Sequence, residues 1–241
     1  MLAVLSVEAR KLNRSLAALL AVAAPSLIAV FGFFMLLRST RAQPWDMWMT
    51  NAAGVWAFFM MPMSITALTA LVAHMEHGPK SWDHLRALPL PRWKLYAAKA
   101  ICVLALLALM SAAVLAFSWA AVSLAGAIKP TVAAAGPFDL AQYARVMAMM
   151  FGAGLLMVAI QLWIALRYAS FVPGLVVGIG GTFFAVVATA AKQGVFLPWQ
   201  MPVNMLATEA WRVNTALGLG GGLGLVALIL MTVHLARREV L

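Results

Sequence analysis

The chain has 241 residues, of which 65% are hydrophobic and 10% charged, and its mean hydropathy is +0.96. A water-soluble domain is near half apolar and a quarter charged, so this composition excludes one, and it excludes disorder as well. Lys and Arg outnumber Asp and Glu by 17 to 7, giving a net charge of +10; with so few charges in total, the excess marks loops beside an anionic leaflet rather than a nucleic-acid surface.

Residues 1–14 come first, and they place Leu2, Leu5, Ala9 and Leu12 on one helical face with Glu8, Arg10 and Lys11 elsewhere. That pattern predicts an amphipathic helix lying in the membrane interface, or a basic anchor that only sets topology. Six stretches free of Asp, Glu, Lys and Arg then follow, at 16–37, 47–73, 100–128, 146–166, 168–191 and 213–233. Roughly 20 helical residues cover a hydrocarbon core of about 30 Å, so each stretch predicts a span and the whole chain, 1–241, reads as one all-α integral membrane domain. With both termini in the cytoplasm, eleven basic residues fall inside and six outside, which favours that orientation.

Two connections carry most of the remaining information. In 74–99, Ser81 predicts an N-cap, Trp82, Leu85 and Leu88 recur at helical spacing, and Pro89 and Pro91 stop the helix. Arg92, Lys94 and Lys99 lead into the third span, where long cationic stems can snorkel to headgroups. In 192–212 the chain is apolar but broken by Pro198 and Pro202, which predicts an extracellular or re-entrant hairpin with Trp199 and Trp211 at headgroup level.

Several chemistries lack their residues. No GxxxxGK[ST] string exists to cradle nucleotide phosphates, and Gly222, Gly224 and Ala227 match GxGxxA only inside an apolar span. Small-xxx-small packing fits Gly218 with Gly222, Gly220 with Gly224, and Gly174 with Gly178 better. The single cysteine, Cys102, supports neither a disulfide nor a thiolate zinc site, and His74, His77 and His84 sit at a membrane edge as a solvated loop, so no metal site is assigned. The six stretches hold no carboxylate for proton or ion coupling, only polar groups such as Asn51, Ser118, Gln161 and Thr182. Energy for any transport has to enter from another polypeptide.

The run Glu76, Trp82, Leu85, Leu88-Pro89, Arg92, Tyr96 and Lys99 resembles the loop after the second span in permeases of the type-2 ATP-binding cassette (ABC) exporter family. The opening Glu8-Ala9-Arg10-Lys11-Leu12-Asn13-Arg14-Ser15 is similar to the N-terminal helix of the same permeases. The resemblance implies a permease in the bacterial inner membrane that pairs with a second or sister permease and with soluble ABC ATPase subunits. ATP and Mg would then be held by those partners, with no cofactor in this chain and no nucleic-acid partner. It also implies that 74–99 holds a coupling helix, with Trp82, Leu85 and Leu88 as its apolar docking face, Asp83 and Arg86 as its flank, and Glu76 joined to Arg10, Lys11 or Arg14. Spans two and five would line the translocation seam and present Trp56, Phe59, Met60, Phe183 and Phe184 to an amphipathic, lipid-like or peptide cargo, with export the expected direction. Two other readings stay open from sequence: a membrane anchor or assembly protein without transport, and an integral membrane enzyme whose site has no recognised motif.

Overall fold

A computed structural model describes residues 1–78, 82, 89–189 and 191–237. Among these residues the fold is all helical, and its one β-bridge joins Pro44 to Ala135. The predicted coupling-helix residues Asp83, Leu85, Arg86 and Leu88 lie outside the described residues.

Helix α1, Leu2–Leu12, buries Glu8 and Leu12, and Arg14 at φ 61° turns the chain into α2, Leu16–Arg38. The Ser15 side chain starts α2 by accepting from the Ala18 amide, one of the donors that a helix N-terminus leaves open. Helix α3, Trp45–His77, contains a π-helical turn at Trp56–Met60. Pro62 accounts for it: the ring has no N–H to offer and would collide with the carbonyl four residues back, Phe58, which the wider turn moves aside.

Helix α4, Arg92–Ile128, runs 37 residues without interruption. At its end Lys129 Nζ donates to the carbonyls of Leu37, 3.1 Å, and Ser39, 2.7 Å, so the cation caps the open C-terminus of α2. Helices α5, Leu140–Ala153, and α6, Leu155–Arg167, meet at Gly154 with a bend of 42°. Helix α7, Val172–Ala188, is followed by the hairpin and by α8, Ala210–Arg237, which carries a second π-helical turn at Gly218–Leu223.

By length and composition, four described helices can cross a bilayer: α2, α3, α4 and α8; the bent α5–α6 pair makes five if it is one span. The stretch 168–191 is shorter as a helix than as an apolar run. Pro173, favoured in the first turn, sets the start at Val172, and the hairpin ends α7 after 17 residues.

The glycines of α8 pack in one register only. A Cβ on Gly220 would land on the Ala153 carbonyl and lie 2.7 Å from its Cα, and one on Gly224 would lie 2.5 Å from the Leu156 amide, whereas Gly218 and Gly222 have open space. The expected Gly218–Gly222 contact is therefore absent, because the π-helical turn presents the other pair to the bend at Gly154. Gly178 lies against Thr66 and Gln161, while Gly174 has nothing within 4 Å of a Cβ. With its amide turned to satisfy both partners, Gln161 donates to the Gly174 carbonyl, 3.1 Å, and accepts from the Gly178 amide, 2.9 Å. This buried Gln161 joins α6 to α7.

The hairpin packs on the bundle through Gln200, whose Nε2 donates to the Ala185 carbonyl and to Thr189 Oγ1, 2.9 Å. Arg212 Nε donates to Asn204 Oδ1, 2.9 Å, and closes it onto α8. Trp199 was expected at the headgroups but is buried, with its indole over Gly181, which has no side chain to exclude it. Trp211 is exposed.

Candidate functional site

The first turns of α4, the last turn of α3 and the middle of α1 converge on four charges. Lys99, 1% exposed, donates to Glu8 Oε2 at 2.7 Å and to Glu76 Oε1 at 2.8 Å. Lys11 donates to the other oxygen of Glu8, Oε1, at 2.9 Å, and to Glu76 Oε1 at 2.7 Å. Each cation thus bridges both carboxylates, and among the described residues the two charge pairs cancel. The local sequence explains the meeting: Leu5 and Leu12 seat α1 on the core, and Glu8, between them in the helix, turns inward with them.

Burying four charges is tolerable only when each is paired and hydrogen-bonded, which these are. Burial lowers the pKa of the Lys11 ammonium, but the hydrogen bonds to Glu76 and Glu8 and the two carboxylate charges outweigh it, so the pKa is raised from its ordinary 10.5. A raised pKa stabilises the fold fully below the unfolded value and stops doing so as pH climbs through the folded value. The stability difference between wild type and Lys11→Gln, followed by thermal unfolding, is therefore expected to hold constant from neutral pH up to 10.5 and shrink above it. A difference that shrinks on acidification from neutral pH to 6 would contradict the pairing.

Trp82 sits on this cluster. Its ring stacks on Tyr96, centroids 5.6 Å apart and planes at 23°, and lies 5.9 Å from Lys99 Nζ. Its indole N–H donates to His77 Nδ1 at 3.1 Å, and His77 Nε2 lies 3.3 Å from the Ala165 carbonyl. Both contacts are satisfied by the tautomer with the proton on Nε2. Trp82 is thus tied to α3, α4 and, through His77, the end of α6. It is 6% exposed, with its ring packed on the bundle.

Of the N-terminal residues singled out in the sequence, Glu8 and Lys11 join the cluster, while Arg10 and Arg14 are exposed. The five predicted seam residues do not form one surface. Trp56 is completely buried in the core and Met60 is partly buried against it, whereas Phe59, Phe183 and Phe184 face outward. The π-helical turn rotates Trp56 inward relative to Phe59. Lys99, Tyr96 and His77 were not assigned to the site from sequence. The available signal was scarcity: in a chain with seven acids, two carboxylates placed beside apolar helix faces require cations, and Lys99 stands three residues after Tyr96 at the start of an apolar run.

The sequence matches the family model described as ABC-2 family transporter protein over residues 4–188. This chain belongs to the ABC-2 transporter family. The match spans α1 through α7 and includes all four charges of the cluster; the hairpin and α8 lie beyond it. No curated protein and no solved structure gives a match. As an ABC-2 family member the chain is a multi-pass membrane protein and a permease subunit of an ABC transporter, a family of transport components that in general associate with a separate ABC ATPase.

Proposed function

We propose that this ABC-2 permease drives export of an amphipathic, lipid-like or peptide cargo, powered by ATP that a soluble ATPase subunit hydrolyses. In this reading α7 is the fifth of six spans, both termini are cytoplasmic in a bacterial inner membrane, and two permeases assemble with two ATPases. The observation that supports it most is the seat of Trp82. A loop residue is locked onto the Glu8, Lys11, Glu76 and Lys99 cluster, so a displacement of the loop reaches α1, α3 and α4 together. The loop's other apolar residues, Leu85 and Leu88, dock in the ATPase cleft, with Asp83 and Arg86 at its edge. Glu76 and Trp82 transmit the motion instead of contacting the partner. Closure of the ATPase pair on ATP then shifts α3 and α4 between two packings that differ by a few kcal/mol.

Co-purification tests this. Leu85→Asp buries a charge in the docking contact and is expected to release the ATPase from permease that still folds. Trp82→Ala, which frees the loop from the bundle, is expected to keep some ATPase bound but to abolish cargo-stimulated hydrolysis. Undiminished co-purification with Leu85→Asp, or full stimulated hydrolysis with Trp82→Ala, would remove the coupling assignment.

A further inference from the structure

The His77 ring lies between two groups whose hydrogen-bonding roles are fixed. On one side the Trp82 indole N–H, a donor only, points to Nδ1 at 3.1 Å; on the other the Ala165 carbonyl, an acceptor only, lies 3.3 Å from Nε2. The two rings are close, with centroids 5.6 Å apart. Of the protonation forms that imidazole can take, one serves both neighbours. Neutral imidazole with its proton on Nε2 accepts from Trp82 and donates to Ala165. The opposite neutral tautomer sets N–H against N–H at Trp82 and lone pair against lone pair at Ala165, and satisfies neither. The imidazolium keeps Ala165 but has no lone pair left for Trp82, so two donors face one another where a hydrogen bond had been.

That change of form falls in an accessible range, because histidine exchanges its proton between about pH 5 and 8. His77 is the last residue of α3 and only partly buried, so protons reach it from water. Among the described residues, the titratable groups that face it are His74 and Glu76 on α3 and Lys99 on α4, and Tyr168, just past α6, lines the same small pocket. Glu76 is already hydrogen-bonded to Lys11 and Lys99, which leaves its charge shared within the cluster. The Trp82 indole has a single N–H, and it is spent on His77; the stack on Tyr96 holds the ring by shape and is indifferent to the proton.

We infer that His77 is a proton-operated latch on Trp82: neutral, it fixes the indole to the bundle, and protonated, it lets the indole go. His77 is then a positioning residue that acts through Trp82. In the coupling reading above, on which this consequence alone rests, acid at the loop side of the membrane frees Trp82 from α3 and α6 and lowers cargo-stimulated hydrolysis.

The test uses the full-length permease, isotope-labelled at the tryptophan indole nitrogens, in detergent micelles without ATPase or cargo, followed by NMR from about pH 8 to about pH 5. The Trp82 indole signal is the one that Trp82→Phe removes. In wild type it is expected to move in a single step toward the position of a water-exposed indole as pH falls. His77→Gln supplies an amide oxygen that accepts at every pH in the range and is expected to remove the step. His74→Gln and His84→Gln are expected to keep it. A wild-type signal that stays fixed, a step that survives His77→Gln, or one that vanishes in His74→Gln or His84→Gln, would each overturn the latch. If His77→Gln does not fold, wild type and the two control variants decide. With no ATPase present, a flat titration removes the latch and leaves the coupling reading standing, whereas undiminished co-purification with Leu85→Asp removes the coupling reading and leaves the latch.

Discussion

Lys99→Met is expected to be among the most destabilising single substitutions in this protein. Lys99 is the innermost cation of the cluster and the bridge between Glu8 and Glu76. Without it, the two buried carboxylates share Lys11, which sits at the partly exposed edge. Removing one partner of a buried charge network costs about 3–5 kcal/mol, most of it the desolvation of the charges left behind. Thermal unfolding in detergent reads the loss directly. Because the cost comes from the stranded carboxylate, Lys99→Met combined with Glu8→Gln should recover much of the stability that Lys99→Met loses. A single variant as stable as wild type, or a double variant worse than the sum of its parts, would show that the cluster does not hold α1 to the bundle.

Gly220→Leu is expected to have the second largest effect. The new Cβ would strike backbone, the Ala153 carbonyl and Cα, and backbone cannot rotate away as a side chain can. Overpacking costs about 1–3 kcal/mol when side chains adjust, and this site belongs at the upper end. The neighbouring Gly222→Ala is the control. Its Cβ meets nothing within 4 Å, so it should be neutral or stabilise by up to about 1 kcal/mol through helix propensity. Equal effects at the two positions would mean that α8 does not seat on the bend at Gly154 in the register described.

The helical membrane class was legible because it depends on composition and on a 3.6-residue period, both of which are local; the expected face of α1 was not, since Glu8 is buried beside Leu12 while Leu2 and Ala9 are exposed. The extent of the helices was less so. A charge-free run from 168 to 191 does not reveal that Pro173 delays α7 and that Gln200 folds the hairpin back onto its end. The glycine register was ambiguous for a related reason: both i,i+4 pairs satisfy the spacing, and only the extra residue of the π-helical turn selects between them. The family resemblance implied a basic partner for Glu76 among Arg10, Lys11 and Arg14, and the structure pairs it with Lys11. Lys99 could not be distinguished from a snorkelling lysine, since the two differ in whether carboxylates from distant segments arrive at its tip. Trp82 shows the opposite limit. The family resemblance implied a partner for its ring, and spacing alone could not reveal that Tyr96 and His77 of its own chain pack against it.

Helix α4 gives these separate places a mechanical relation. Lys99 and Ser118 lie on one rod, nineteen positions or about 28 Å apart, with no break between them, while α3 and α8 each contain a compliant π-helical turn. In the reading proposed above, a push at the charged end travels along this stiff strut to Lys129, whose cation closes the end of α2, while its neighbours flex.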